Sequence, residues 1–119
     1  MFHEIQDVPQ HPDSEGRRRW FRDAGWDLIV WYDASDQIRG FQLCYDTEGA
    51  EHALTWHRGE RVTHQRVDSG EDAPRPHGAP VLLPGLVKAP EGIFARFSAR
   101  AAGLDREILA TLSGQLAGL

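Results

Sequence analysis

The stretch from Trp26 to Val67 has the least freedom in what it can fold into. It holds four short runs, Trp26–Asp33, Ile38–Tyr45, His52–His57 and Val62–Val67, dense in aromatic and β-branched residues that suit a pleated surface. Polar turn segments separate them: Ala34-Ser35-Asp36-Gln37, Asp46-Thr47-Glu48-Gly49 and Arg58-Gly59-Glu60-Arg61. Asp68-Ser69-Gly70-Glu71-Asp72 ends the fourth run.

Symmetric closure of each turn fixes the registers. One row is then Val30, Phe41, Trp56 and Thr63. The next is Leu28, Leu43, Leu54 and Gln65, followed by Trp26, Tyr45, His52 and Val67. A slip of one residue would send every side chain to the other face, so agreement among three separate turns argues for a real sheet. The opposite face reads Ile29, Gln42, Thr55, His64; then Trp31, Gly40, His57, Val62; then Asp27, Cys44, Ala53, Arg66. It is a mixed face, and Gly40 between Trp31 and His57 marks a bulge or a close approach by another group, such as the indole.

The greasy face needs a cover, and the end of the chain supplies one. Pro90 and Glu91 suit a helix start, Ile93, Phe94, Phe97 and Ala101 recur at helical spacing, and Gly103 suits a C-cap. Asp105 is placed to cap a second helix with an Ile108, Leu109, Leu112, Leu116 stripe. The predicted fold is α+β: a four-stranded antiparallel β-meander over about residues 26–67 with two C-terminal helices packed on one face. At 119 residues the chain reads as a single domain. Residues 1–16 are expected to be a loose arm with Phe2 and Ile5 tacked down, 68–89 a long loop and extended segment, and 90–117 the helices. Residues 79–87, broken by Pro80, Pro84 and Gly85, should run extended over the core or pair briefly with a sheet edge.

Arg17-Arg18-Arg19-Trp20-Phe21-Arg22-Asp23 has two readings. It is either an anion-binding patch or a lead-in whose Trp20 and Phe21 seal one core edge while the arginines are solvated or paired; the second is preferred. A net charge of −5 spread along the chain argues against a general nucleic-acid binder, which needs a basic face. The apolar runs are too broken to span a membrane, and one cysteine excludes an intrachain disulfide framework and fits a reducing, cytoplasmic setting.

No glycine-rich phosphate loop, Cys-x-x-Cys pair, His-Glu-x-x-His helix or Gly-x-Ser-x-Gly elbow is present. No catalytic, cofactor or metal residues are therefore assigned. The candidate ligand or interface face is Trp31, Gln42, Thr55, His57 and His64, an aromatic wall with convergent polar groups. The leading expectation is a non-catalytic interaction or ligand-binding module. The alternative is a small enzyme or metal-binding protein using His57 and His64 on the mixed sheet face. A homodimer through Ile29, Trp31, Ile38 and Val62 would cover the apolar part of this face.

Overall fold

A computed structural model of the chain describes residues 1–10, 16–68, 81–86 and 88–119. They form an α+β fold. The strands are β1 (His3–Glu4), β2 (Arg18–Asp23), β3 (Trp26–Tyr32), β4 (Ile38–Tyr45), β5 (His52–His57) and β6 (Thr63–Arg66). The helices are α1 (Ile93–Ser98) and α2 (Arg106–Leu116). All strand pairs are antiparallel and each strand lies beside its neighbours in sequence, in the order β1-β2-β3-β4-β5-β6.

The first two predicted hairpins form in the predicted register. Val30 faces Phe41 and Phe41 faces Trp56; Leu28, Leu43 and Leu54 share a row, as do Trp26, Tyr45 and His52. Four strands become six because the basic lead-in is itself a strand, β2, and His3–Glu4 of the arm expected to be loose pairs with it as β1. In β2, Arg19 and Phe21 point to the helix side, paired with Val30 and Leu28. Arg18, Trp20 and Arg22 take the other side, and this alternation is masked in the sequence because the inward residue Arg19 is charged. Arg19 is satisfied there by Glu4 at 2.7 Å, Asp105 at 2.5 Å and the Tyr32 hydroxyl at 3.3 Å. These bonds, Glu4's first, hold its guanidinium pKa above the ordinary value.

Two register details correct the predicted faces. The last hairpin is shifted by one residue, pairing Leu54 with His64 and Thr55 with Thr63. Its turn closes around Gly59 at φ 87°, with the Glu60 N–H donating to the His57 carbonyl at 2.9 Å, so the closure is not symmetric about residues 58–61. Between β3 and β4 the register jumps: Trp31 faces Gly40 but Tyr32 faces Ile38, leaving Arg39 as the extra residue of a bulge. The first shift carries Val62 and His64 to the helix side, and the second carries Ile38 there.

The main core lies between the sheet and the helices. It contains Phe21, Leu28, Val30, Phe41, Leu43 and Leu54 from the sheet and Ile93, Phe97, Ile108, Leu112 and Leu116 from the helices. Trp56 and Val62 pack against it, half-buried. Phe2 anchors the N-terminal arm in the same core, edge-on to Trp26 at 6.5 Å and 6.2 Å from Phe97. Helix α1 is shorter than predicted, starting after Gly92 at φ 80° rather than at Pro90. Phe94 falls off its buried stripe and is exposed. Asp105 occupies the N-cap position of α2 but makes no side-chain cap, because Arg19 takes its carboxylate.

On the other side of the sheet, Cys44, Ala53 and Val67 form a smaller cluster with Leu82. Residues 81–83 run along the outer edge of β6. The Asp68 N–H donates to the Val81 carbonyl at 2.8 Å and the Leu83 N–H to the Arg66 carbonyl at 2.9 Å. Edge pairing was one of the two courses expected for residues 79–87, and residues 81–83 take it; residues 69–80 and 87, and the arm residues 11–15, lie outside the described residues.

Candidate functional site

The mixed face is built by the alternate residues of β2 to β6. Its middle row is Trp20, Ile29, Gln42, Thr55 and Thr63. Gln42 and Thr55 are buried and satisfy each other, the amide donating to the hydroxyl at 3.1 Å. Ile29 beside them is also buried. These residues are a closed floor, so of the five predicted site residues only Trp31 and His57 reach an accessible surface together.

They do so one row along, where Arg18, Trp31, Gly40 and His57 lie side by side. The indole and the imidazole stack at 5.4 Å between centroids and 11° between planes. Trp31 is half-buried and His57 exposed. Gly40 makes the arrangement possible. A Cβ on it would stand 2.6 Å from the Trp56 carbonyl oxygen, 3.2 Å from Trp31 Cε3 and 3.3 Å from His57 Nδ1. The two rings therefore close over a strip of bare backbone, as the sequence suggested for the indole.

The charge around this stack is cationic. The Arg39 guanidinium, thrown sideways by the bulge, lies 6.0 Å from the Trp31 ring centre, and its Nε donates to the Tyr32 carbonyl at 3.2 Å. Arg18 lies over Trp20 at 5.9 Å and donates to the Pro9 carbonyl at 2.8 Å. Neither has a carboxylate partner among the described residues. Arg17 and Arg58 at the same end of the sheet are paired, with Asp36 and Asp33 respectively, at 2.8 Å each. The Arg58 guanidinium, helped by the Gln37 and Ser35 backbone N–H groups, holds the Asp33 carboxyl below its usual range.

His64 is not part of this site. The one-residue shift of β6 places it on the helix side, opposite Leu54, where it is buried. Its Nε2 lies 2.5 Å from the Tyr45 hydroxyl, and its ring stacks on Tyr45 at 5.8 Å and on His52 at 5.0 Å. His57 and His64 thus face opposite sides of the sheet and cannot share a ligand. No group of three or more His, Cys, Asp or Glu side chains converges on one point among the described residues. The proposed dimer patch is likewise broken up, since Ile38 and Val62 turn to the helix side and Ile29 is buried.

Sequence reasoning raised Arg18 only within the anion-binding alternative for residues 17–23, which it did not prefer, and it missed Arg39, because a bulge leaves no mark in side-chain periodicity. Comparison with known proteins finds no matching family model, no matching curated protein and no matching solved structure. Among the described residues no helix is long and apolar enough to cross a membrane.

Proposed function

We propose that the protein is a non-catalytic binding module that holds a flat organic anion at the Trp31–His57 platform. One observation carries this reading: a preformed, partly exposed ring stack sits beside Arg18 and Arg39, two guanidiniums that no carboxylate among the described residues neutralises, in a chain of net charge −5. Stacked rings offer contact area at low entropic cost, and unpaired arginines select for negative charge. A Trp-and-Arg pair is also the composition that concentrates binding energy at recognition surfaces.

The test separates ring from charge. Three probes are titrated while the Trp31 indole and His57 imidazole NMR signals are followed: 2-naphthoate, the neutral 2-naphthalenemethanol, and cyclohexanecarboxylate. The expected result is saturable shifts with 2-naphthoate alone, weakened at least about tenfold by Trp31→Ala or Arg39→Gln, a loss of about 1.4 kcal/mol. Equal response to all three probes, or no response to 2-naphthoate at millimolar concentration, would overturn the assignment.

A further inference from the structure

Arginine pairing is uneven across the molecule. Among the described residues the half-buried arginines are Arg18, Arg19, Arg39 and Arg100. Arg19 meets Glu4 and Asp105, and Arg100 meets Asp23. Arg18 and Arg39 meet no carboxylate, and both stand beside Trp31 on the mixed face. The carboxylates at this end of the sheet, Asp33 and Asp36, are engaged by Arg58 and Arg17 and so do not compete for them.

Both guanidiniums are already oriented. Arg39 Nε donates to the Tyr32 carbonyl at 3.2 Å, and Arg18 Nε donates to the Pro9 carbonyl at 2.8 Å. The Nε edge of each is thus held by backbone, while the terminal amino nitrogens of each have no partner among the described residues. Those two nitrogens form a planar fork that takes both oxygens of one oxyanion. Fixing the long side chain beforehand lowers the ordering cost of binding.

The two forks flank the indole without converging. Arg18 pairs with Trp31, Trp31 pairs with Gly40, and Arg39 precedes Gly40 in the chain. The strands that carry the arginines therefore lie two interstrand spacings apart, about 10 Å. Arg18 is drawn outward, toward the arm whose Gln10 amide lines the outer edge of β2, and Arg39 is drawn toward Tyr32.

Resting on the Trp31–His57 platform proposed above, we infer that its ligand is a flat dicarboxylate. One carboxylate enters the Arg18 fork, the other enters the Arg39 fork, and the flat body crosses Trp31 between them. A carboxylate brings one negative charge to one guanidinium. A phosphate monoester would bring about −1.5 to −2 to the same single cation. In a chain of net charge −5 that surplus is repelled rather than balanced.

The experiment titrates the intact chain with four compounds while the Trp31 and His57 NMR signals are followed. They are naphthalene-2,6-dicarboxylate, 2-naphthoate, naphthalene-2,3-dicarboxylate, whose two charges sit on neighbouring carbons, and 2-naphthyl phosphate. The 2,6-dicarboxylate is expected to bind at least about tenfold more tightly than each of the others, the gain from one further charge-assisted contact. In Arg18→Gln its advantage over 2-naphthoate should fall to about twofold or less. Binding of 2-naphthoate with no advantage for the 2,6-dicarboxylate overturns this inference and leaves the platform standing. An equal gain for the 2,3-isomer or the phosphate also overturns it, because charge number rather than placement would then decide. So does an advantage that survives Arg18→Gln; if that variant fails to fold, the comparison on the parent chain decides. Silence toward all four compounds overturns both this inference and the platform.

Discussion

The Tyr45 hydroxyl and the Nε2 of His64 lie 2.5 Å apart on the helix side of the sheet, joining two strands that are not hydrogen-bonded neighbours. Burial pushes the Tyr45 pKa up to about 12, with the charge of Asp46 adding to the effect and Arg96 opposing it. The hydroxyl therefore keeps its proton across the physiological range. Tyr45→Phe deletes this bond while preserving the ring that stacks on His64 and His52. The expected loss is about 1–3 kcal/mol, the usual figure for withdrawing a partner from a buried polar group. Urea denaturation measures it, and an unchanged midpoint would show that the bond contributes nothing to stability.

Gly40→Ala tests the strip beneath the ring stack. The new methyl group meets the Trp56 backbone oxygen, which cannot swing away as a side-chain end could. The expected destabilisation is about 1–3 kcal/mol, as for other overpacked interiors, seen as a lower thermal midpoint. The Trp31 and His57 signals should move as well, since both rings lie within 3.3 Å of the added carbon. A variant as stable as the parent with both signals in place would refute the geometry given for this site.

The contrast between these two places shows what the sequence could and could not say. Rows such as Leu28, Leu43 and Leu54 were legible because large apolar residues repeat at period two on both sides of each turn. His64 was misplaced because β6 is short and polar. Swapping which of Thr63, His64 and Gln65 face the core changes its apparent hydrophobicity little, so only the turn at Gly59 decides the register. Ile38 was misplaced by the bulge at Arg39. The strand at Arg18–Asp23 was hidden because Arg19, an inward cation, depends on Glu4 and Asp105, which are 15 and 86 residues away in the chain. The candidate platform was half-legible: Trp31 and His57 follow from the central registers, whereas its cationic surround follows from tertiary structure.

Leu112 and Phe94 give opposite expectations despite both belonging to predicted apolar stripes. Leu112 is fully buried against the sheet, so Leu112→Ala should lose about 2–5 kcal/mol. Phe94 is 37% exposed, and Phe94→Ala should stay within about 1 kcal/mol of the parent. Chemical denaturation of both variants checks the faces that α1 and α2 present to the core. A Phe94 loss as large as that of Leu112 would mean that α1 is rotated.

Arg19 makes the acid limb of stability predictable in sign. Its hydrogen bonds are the main cause holding Glu4 and Asp105 below their ordinary values of 4.5 and 3.8. Carboxyls depressed on folding bind protons more weakly in the folded chain than in the unfolded one. The stability they contribute is present above those ordinary values and is lost as pH falls through the depressed folded ones. Arg19→Met should therefore reduce stability at neutral pH and flatten its decline in acid. Denaturation midpoints for both proteins between about pH 6 and 3 measure the slopes, and parallel curves would contradict the linkage.

The order β1-β2-β3-β4-β5-β6 also governs how the chain reaches this state. Each strand finds its partner next to it along the chain, so the sheet grows hairpin by hairpin with little loop-closure entropy at each step. The distant closures are those that bring the helices to the sheet, such as Arg96 to Asp46 across 50 residues and Arg19 to Asp105 across 86. Contact order is thus concentrated in helix docking, so those contacts carry the largest loop-closure cost in the fold.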